Sequence, residues 1–133
     1  MSIEYLRLED VLFIHAEQID RFGGVHGIRD PGLLDAALFR PQTGYYDSVI
    51  EQAAALWESL SQNHPFFDGN KRVAFAAAYV FLSINKVELT ASDAEAQHFL
   101  LDLYQRDALD YNNLLDWLRT HTVNFTGPTS TST

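Results

Sequence analysis

The stretch from residue 64 to residue 72 reads His-Pro-Phe-Phe-Asp-Gly-Asn-Lys-Arg and concentrates side chains that could do chemistry. An imidazole exchanges protons near neutral pH, which suits His64 to take a proton from a hydroxyl group. Asp68 offers the kind of single carboxylate through which proteins hold Mg²⁺ together with substrate phosphates. A base and a metal carboxylate four residues apart predict a catalytic segment.

The same stretch also offers donors for phosphate oxygens. It comes directly before an apolar helical pattern, and the N-terminus of a helix carries free N–H groups and the positive end of the dipole. Gly69 has no Cβ, so a ligand can approach the backbone there. Asn70, Lys71 and Arg72 add one neutral and two cationic donors in the same turn. Together these groups predict phosphoryl or nucleotidyl transfer, in which positioning and charge stabilisation dominate.

A structural explanation competes for each of these residues taken alone. A single histidine or aspartate before a helix is more often a cap or a satisfied polar group. Phe66 and Phe67 are expected to be structural, with at least one of them anchoring the segment to the core. The remaining histidines have no partners at metal-ligand spacing and are assigned no function; they are His15, His26, His98 and His121.

The elements around this segment are predicted to be helices. Apolar residues at spacings of three and four predict a helix over 8–22, which Gly23 and Gly24 end. Asp30 and Pro31 form a cap and first-turn pair that opens a helix to about residue 40. Pro41 ends that helix, and residues 41–47 are predicted to form an exposed loop. A capping box at 48–51 starts a third helix, which ends near residue 63 ahead of a proline.

The second half of the chain continues this pattern. Residues 70–85 are apolar nearly all round, which is typical of the buried centre of an all-α domain, and their alanines allow neighbouring helices to approach closely. Residues 86–89 suffice for one extended piece. A second capping box, Ser92 with Glu95, starts a helix to about residue 105, and a last helix covers roughly 111–121. We therefore predict an all-α bundle of about six helices around a central helix that follows the 64–72 segment.

Length, composition and charge indicate the number of domains, the location and the kinds of partner. The 133 residues fit one domain, predicted at 1–122, with a disordered tail at 123–133. Apolar runs are too short to span a bilayer, the N-terminus lacks the pattern of a signal peptide, and cysteine is absent, so we expect a cytoplasmic protein without a membrane partner. The net charge of −9 repels a polyphosphate backbone, so we expect no direct nucleic-acid partner.

The segment resembles the signature of the Fic superfamily, His-Pro-Phe-x-(Asp/Glu)-Gly-Asn-Gly-Arg, at every fixed position except one. Lys71 stands where most members have a second glycine, and an Asn-Lys-Arg ending is the mark of the death-on-curing (Doc) branch, the toxins of toxin–antitoxin pairs. Residues 23–41 also resemble the upstream Gly-Gly and Gly-(Ile/Met)-x-Asp-x-Gly segment of Doc-like proteins. The resemblance covers about residues 5–122.

This resemblance implies a role for each motif residue. His64 would be the general base, Asp68 would hold Mg²⁺, and Gly69, Asn70 and Arg72 would bind nucleotide phosphates with the helix N-terminus. Lys71 would fill the space that Fic enzymes keep for the α-phosphate of ATP. Doc-like proteins transfer the γ-phosphate instead, with elongation factor Tu as target, so the resemblance implies an ATP-dependent protein kinase. Transfer of AMP and a non-catalytic protein-binding module are the alternatives.

The resemblance also implies partners. Fic proteins carry a flap that docks the target segment where this chain has residues 41–47, and Tyr45 and Tyr46 are the candidates for that contact. Many Fic enzymes silence themselves through a (Ser/Thr)-x-x-x-Glu helix, but no Glu in this sequence has Ser or Thr four residues before it. We therefore expect inhibition in trans by a small antitoxin of the prevents-host-death kind, whose segment folds as a helix into an apolar groove.

Overall fold

The computed structural model describes residues 2–125 and forms a helical bundle with one small antiparallel sheet. The prediction of an all-α protein of about six helices is confirmed. The α-helices are α1 (Leu8–Phe22), α2 (Pro31–Phe39), α3 (Val49–Asn63), α4 (Asn70–Ile84), α5 (Asp93–Gln105) and α6 (Tyr111–Thr120). The strands are β1 (Val87–Leu89) and β2 (Thr122–Asn124), with Val87 opposite Asn124 and Leu89 opposite Thr122. Within the described residues, no helix has both the length and the apolarity needed to cross a bilayer.

Local signals set most helix starts. The Asp30 carboxylate accepts the Leu33 N–H at 3.0 Å, as a side-chain cap does. Both predicted capping boxes form, at the starts of α3 and α5. In each box the serine hydroxyl accepts the glutamate N–H while that glutamate carboxylate accepts the serine N–H. These interactions join neighbours in sequence, which is why the sequence predicts them.

A pair of helices, α3 and α4, forms the centre of the bundle. The sequence predicts α4 alone at the centre. In the structure α3 is buried as well, with nine buried residues compared with six in α4. The reason is that α3 contacts α2, α4 and α6, whereas α4 has α3, α1 and β1 as neighbours. Small residues bring the two helices together, since Ala74, Ala77 and Ala78 of α4 are at most 1% exposed. Trp57 of α3 is fully buried and lies 6.0 Å from the Trp117 ring of α6.

The prediction of an exposed loop at 41–47 is wrong for its first residues. Residues Arg40–Gln42 form a 3₁₀ turn that continues α2, and Pro41 is buried in it. Proline at the start of such a turn loses no hydrogen bond, because the first N–H groups of a helix have no partner within it. Proline therefore ends the regular α-helix here without ending the helical path of the chain.

A half-buried arginine ties the rest of that loop to the bundle. Arg40 Nη1 lies 2.7 Å from Glu58 Oε1 of α3, and Arg40 Nε donates to the Tyr46 hydroxyl at 3.0 Å. The other Glu58 oxygen accepts the Tyr111 N–H at the start of α6. Burial acts to lower the pKa of Arg40, but its hydrogen bonds and charge interactions with Glu58 and Tyr46 together outweigh that effect and raise the pKa. One ion pair thus joins the 40–46 segment, α3 and α6.

Strand β2 also corrects the predicted tail. Val123 and Asn124 belong to that strand and pair with β1, and the Phe125 N–H donates to the Lys86 carbonyl at 2.7 Å. The ordered chain therefore continues past residue 122, because the edge of β1 offers backbone partners that no sequence pattern near residue 123 reveals. The remainder of the predicted tail, 126–133, lies outside the described residues.

The close packing of α3 on α4 predicts a strong response to added volume. We expect Ala77→Leu to lower the free energy of unfolding by about 1–3 kcal/mol, because no space exists for the added atoms. Ala94→Leu is the matched control, since Ala94 is an exposed residue of α5 and the change in helix propensity is the same. Urea unfolding of the two variants measures the difference. Equal stabilities would contradict the packing described here.

Candidate active site

The loop between α3 and α4 lines a pocket of about 540 Å³. The structure brings together all the predicted catalytic, phosphate-binding and metal residues in that pocket. Tyr45 and Tyr46 are not among the lining residues. The lining consists of His64, Phe67, Asp68, Gly69, Asn70, Lys71, Arg72 and Tyr104.

Phe66 fixes the underside of the loop, as expected for one of the two phenylalanines. Its ring is 1% exposed and stacks on the His15 ring at 3.9 Å between centroids. The Asn70 side chain closes the loop above it, since Asn70 Oδ1 accepts the Phe66 N–H at 2.9 Å. Asn70 Nδ2 donates to the Phe66 carbonyl at 3.0 Å. The Asn70 amide, which is predicted to bind phosphate, therefore uses two of its hydrogen bonds to hold the loop in shape.

His15, which no sequence pattern marks as functional, supports the end of the loop that carries Asp68. Its Nε2 lies 2.9 Å from the Asp68 carbonyl oxygen, and a carbonyl only accepts, so Nε2 carries the proton. Burial lowers the pKa of His15, and this hydrogen bond offsets the effect only in part. The lowered pKa favours the neutral imidazole. The two partners are 53 residues apart in sequence, which is why no local pattern indicated the contact.

A short backbone bridge holds the loop from the other side. Ile28 pairs with Phe66 as an antiparallel bridge, and the Phe67 N–H donates to the Gly27 carbonyl at 3.3 Å. Gly27 has φ of +120°, and a Cβ there would lie 3.2 Å from the Phe67 ring. This close approach explains a glycine at that position. The upstream segment that resembles Doc-like proteins is therefore part of the site's scaffold.

His64 lies at the rim of the pocket and is exposed. It is the last residue before Pro65 and adopts a left-handed backbone conformation, with φ of 49° and ψ of 55°. The guanidinium of Arg29 donates to its carbonyl oxygen at 2.7 Å. His64 is thus carried on a fixed turn at the end of a buried helix, while its side chain remains exposed.

The N-terminus of α4 offers an anion site. Gly69 precedes the helix with φ of 79°, and no side chain among the described residues caps its N-terminus. The first helical hydrogen bond runs from the Val73 N–H to the Gly69 carbonyl at 2.9 Å, so the N–H groups before Val73 are not used by the helix. These groups and the helix dipole attract a negatively charged ligand.

Asp68 presents one carboxylate to this pocket. Its Oδ2 accepts the Val25 N–H at 2.8 Å, the one hydrogen bond of that carboxylate among residues 2–125, so Oδ1 is available to a ligand. Within the same residues, no three histidine or acidic side chains come together to hold a metal by themselves. This donor set fits a hard cation such as Mg²⁺, which is often bound by one or two carboxylates plus substrate phosphates.

The two predicted phosphate-binding cations have neutral partners. Arg72 Nη2 donates to the Gly23 carbonyl at 3.0 Å, at the end of α1. Lys71 Nζ lies 4.2 Å from the centroid of the Tyr104 ring, a cation–π contact. Burial raises the pKa of Tyr104, so its ring remains neutral under the ammonium group. Tyr104 comes from α5 and was missed, because no sequence spacing connects it to the 64–72 segment.

The two candidate docking tyrosines lie in different environments. Tyr45 is 87% exposed, whereas Tyr46 is held by the Arg40 side chain and by the Gln52 amide, which donates to the Tyr46 carbonyl at 2.9 Å. The Tyr46 ring also lies 5.3 Å from that of Tyr111. Tyr46 therefore has a structural role in the 40–46 segment, and Tyr45 is the one of the two that is open to a target.

An imidazole, a carboxylate, two cations and an uncapped helix end in one pocket suit group transfer from a phosphate compound. A family model described as Fic/DOC family matches residues 5–82. The chain belongs to the Fic/DOC family. Within it, the Toxin Doc of Mycolicibacterium smegmatis is 52% identical over 93 residues, which cover 66% of this chain and 69% of that protein.

A second Doc relative is more distant. The protein named "Protein kinase doc" from Escherichia phage P1 is 31% identical over 91 residues, which cover 65% of this chain and 72% of that protein. Both relatives are Doc proteins, so the assignment of this chain to the Doc branch of the Fic/DOC family, made from its Asn-Lys-Arg ending, is confirmed.

The hydrogen bonds of Asn70 predict how the loop between α3 and α4 responds to substitution. We expect Asn70→Ala to lower the free energy of unfolding by about 1–3 kcal/mol, because the Phe66 N–H and carbonyl both lose their partner. Asn70→Asp keeps an acceptor for the Phe66 N–H and serves as the matched variant. Hydrogen exchange at the Phe66 amide should become faster in Asn70→Ala than in Asn70→Asp. The same exchange rate in both variants and the wild type would show that this side chain does not close the loop.

Proposed function

We propose that this chain is the toxin of a type II toxin–antitoxin system and an ATP-dependent protein kinase. It transfers the γ-phosphate of ATP to a Ser or Thr hydroxyl of a translation factor, elongation factor Tu by resemblance, and so arrests translation. The observation that carries the proposal is the pocket in which Lys71 lies beside His64, Asp68 and the α4 N-terminus. The names of the two relatives, Toxin Doc and Protein kinase doc, support it.

In this proposal, His64 takes the proton of the target hydroxyl as that oxygen attacks the γ-phosphorus. The bond between the γ-phosphorus and the oxygen that bridges it to the β-phosphate breaks, and ADP leaves. Its position at the exposed rim allows a protein substrate to reach it. The N–H groups at the start of α4, together with Lys71 and Arg72, bind and orient the phosphate oxygens of ATP and offset their charge. Asn70 contributes by keeping the loop in the conformation that aligns His64 with that helix end.

The Asp68 carboxylate is suited to hold Mg²⁺ with phosphate oxygens, and the ion when bound neutralises charge on those oxygens. Asp68 is kept in place by the Val25 N–H on its side chain and by His15 on its carbonyl. These two contacts fix the direction of the carboxylate before any ligand arrives.

The first test uses ATP labelled at either the α- or the γ-phosphate, with elongation factor Tu as acceptor. We expect label from the γ position alone, and we expect His64→Ala and His64→Asn to reduce transfer by ~10²–10⁴-fold, the usual contribution of a general base. Asparagine tolerates the left-handed backbone of residue 64, so that variant removes the imidazole with little added strain. His98→Asn, an exposed histidine of α5 outside the pocket, is the control.

Each other result of that assay points to a specific alternative. Label from the α position alone means AMP transfer and contradicts the kinase proposal. No transfer to any protein, with toxicity in bacteria equal for wild type and His64→Ala, indicates a non-catalytic binding module. Transfer by His64→Asn close to the wild-type level shows that His64 is not the base.

The proposed inhibitor is a small cognate antitoxin with a segment that folds as a helix into an apolar groove of this chain. The toxin is acidic, with a net charge of −9, so a segment with Lys or Arg around its apolar anchors would associate faster. We expect the product of the adjacent gene to copurify with this chain on co-expression and to suppress its toxicity. Persistent toxicity without a complex would contradict inhibition in trans by that protein.

A further inference from the structure

The backbone of His64 is strained. Its φ of 49° lies in the left-handed region, which residues with a Cβ adopt at a cost. Among residues 2–125, the other non-glycine residues with positive φ are Lys86 and Asp107, which like His64 are exposed and lie just beyond the end of a helix. Such strain persists only where the surrounding structure determines the conformation. The contacts around His64 therefore reveal what holds the base in place.

Arg29 makes most of those contacts. Its Nε donates to the His64 carbonyl at 2.7 Å, and its Nη2 donates to the Asn63 carbonyl at 3.0 Å. Its backbone N–H donates to the Pro65 carbonyl at 2.7 Å, which the Asp30 N–H also reaches at 3.0 Å. One residue thus fixes the orientation of three successive peptide groups, centred on His64.

The chemistry of arginine suits this position. The Asn63 and His64 carbonyls lie at the C-terminus of α3, the negative end of its dipole, where a cation is favourable. The planar guanidinium presents two N–H groups at once to two neighbouring carbonyls, which a lysine ammonium cannot do with the same fixed geometry. Within the described residues no carboxylate forms a salt bridge with Arg29, so its contacts are those with the backbone of the loop.

From this geometry we infer that Arg29 is a positioning residue for His64. It does not line the pocket, so it acts through the peptide groups that it fixes, and these set the direction in which the imidazole enters the pocket. The inference rests on the proposed function, because it assigns Arg29 a part in transfer by His64. Both of its side-chain hydrogen bonds are exposed, so its effect is on the local conformation of the loop more than on the stability of the bundle.

The first experiment compares Arg29→Gln and Arg29→Lys with Arg119→Gln, an exposed arginine in the last turn of α6. We expect Arg29→Gln to lower kcat on the order of tenfold, within the factor of about 5 to 150 that strained backbone conformations represent. KM for ATP and the thermal midpoint should stay close to those of the wild type, because the phosphate site is not altered. The kcat of Arg29→Lys should lie between those of Arg29→Gln and the wild type. Arg119→Gln should behave as the wild type.

A second readout does not depend on transfer activity. Diethyl pyrocarbonate modifies exposed imidazoles, and peptide mass spectrometry gives the modification rate of His64 relative to His98 in the same sample. We expect Arg29→Gln to shift this ratio and Arg119→Gln to leave it unchanged. If the wild type transfers no phosphate, the proposed function fails, and the ratio alone decides whether Arg29 positions His64.

Two results would overturn the inference. One is a wild-type kcat or an unchanged modification ratio in Arg29→Gln. The other is a loss of kcat that follows a loss of folded protein to the same extent in Arg29→Gln and Arg29→Lys, since that pattern describes a cap of α3 and nothing more. Retained folding in Arg29→Lys with a partial loss of kcat supports positioning even where Arg29→Gln folds poorly.

Discussion

The backbone bridge between residues 27–30 and the start of the 64–72 segment is the constraint on which the site depends. The chain has only residues 64–69 in which to pass from α3 to α4, and those residues must also carry the reactive groups. The Pro65 carbonyl and the Phe67 N–H both find partners in the upstream segment. Because the backbone of the loop is satisfied there, the His64 and Asp68 side chains are free for chemistry.

Neighbouring residues of the loop divide two tasks. Phe66 is 1% exposed and holds the loop to α1 through the His15 ring, whereas Phe67 is 57% exposed and lines the pocket. Asn70 then joins the first turn of α4 to the Phe66 backbone. The loop therefore has a fixed buried side and an open side, and substrate contacts need not disturb the core.

The sequence predicts what local interactions decide. Helix starts followed from caps that act over three residues, and the pocket followed from chemistry that lies within nine consecutive residues. The contacts of Arg29, His15 and Tyr104 join residues that are 33 or more positions apart, and neither periodicity nor spacing carries that information. Even within the motif, the sequence does not decide the role of Asn70. An asparagine can bind a phosphate or hold a loop through hydrogen bonds equally well.

The pocket contains two neighbouring cations although the protein as a whole is acidic. A chain with a net charge of −9 repels anions overall, yet Lys71 and Arg72 meet at one helix start with the positive end of its dipole. Within residues 2–125 neither cation is paired with a carboxylate; their contacts are a tyrosine ring, a phenylalanine ring and backbone carbonyls. A phosphate group bound as proposed has no ion pair to break there, and its charged oxygens replace uncharged partners of the two cations. The neutral partners hold both cations in position and still leave them available, so an acidic protein can carry a pocket suited to the proposed phosphate ligand.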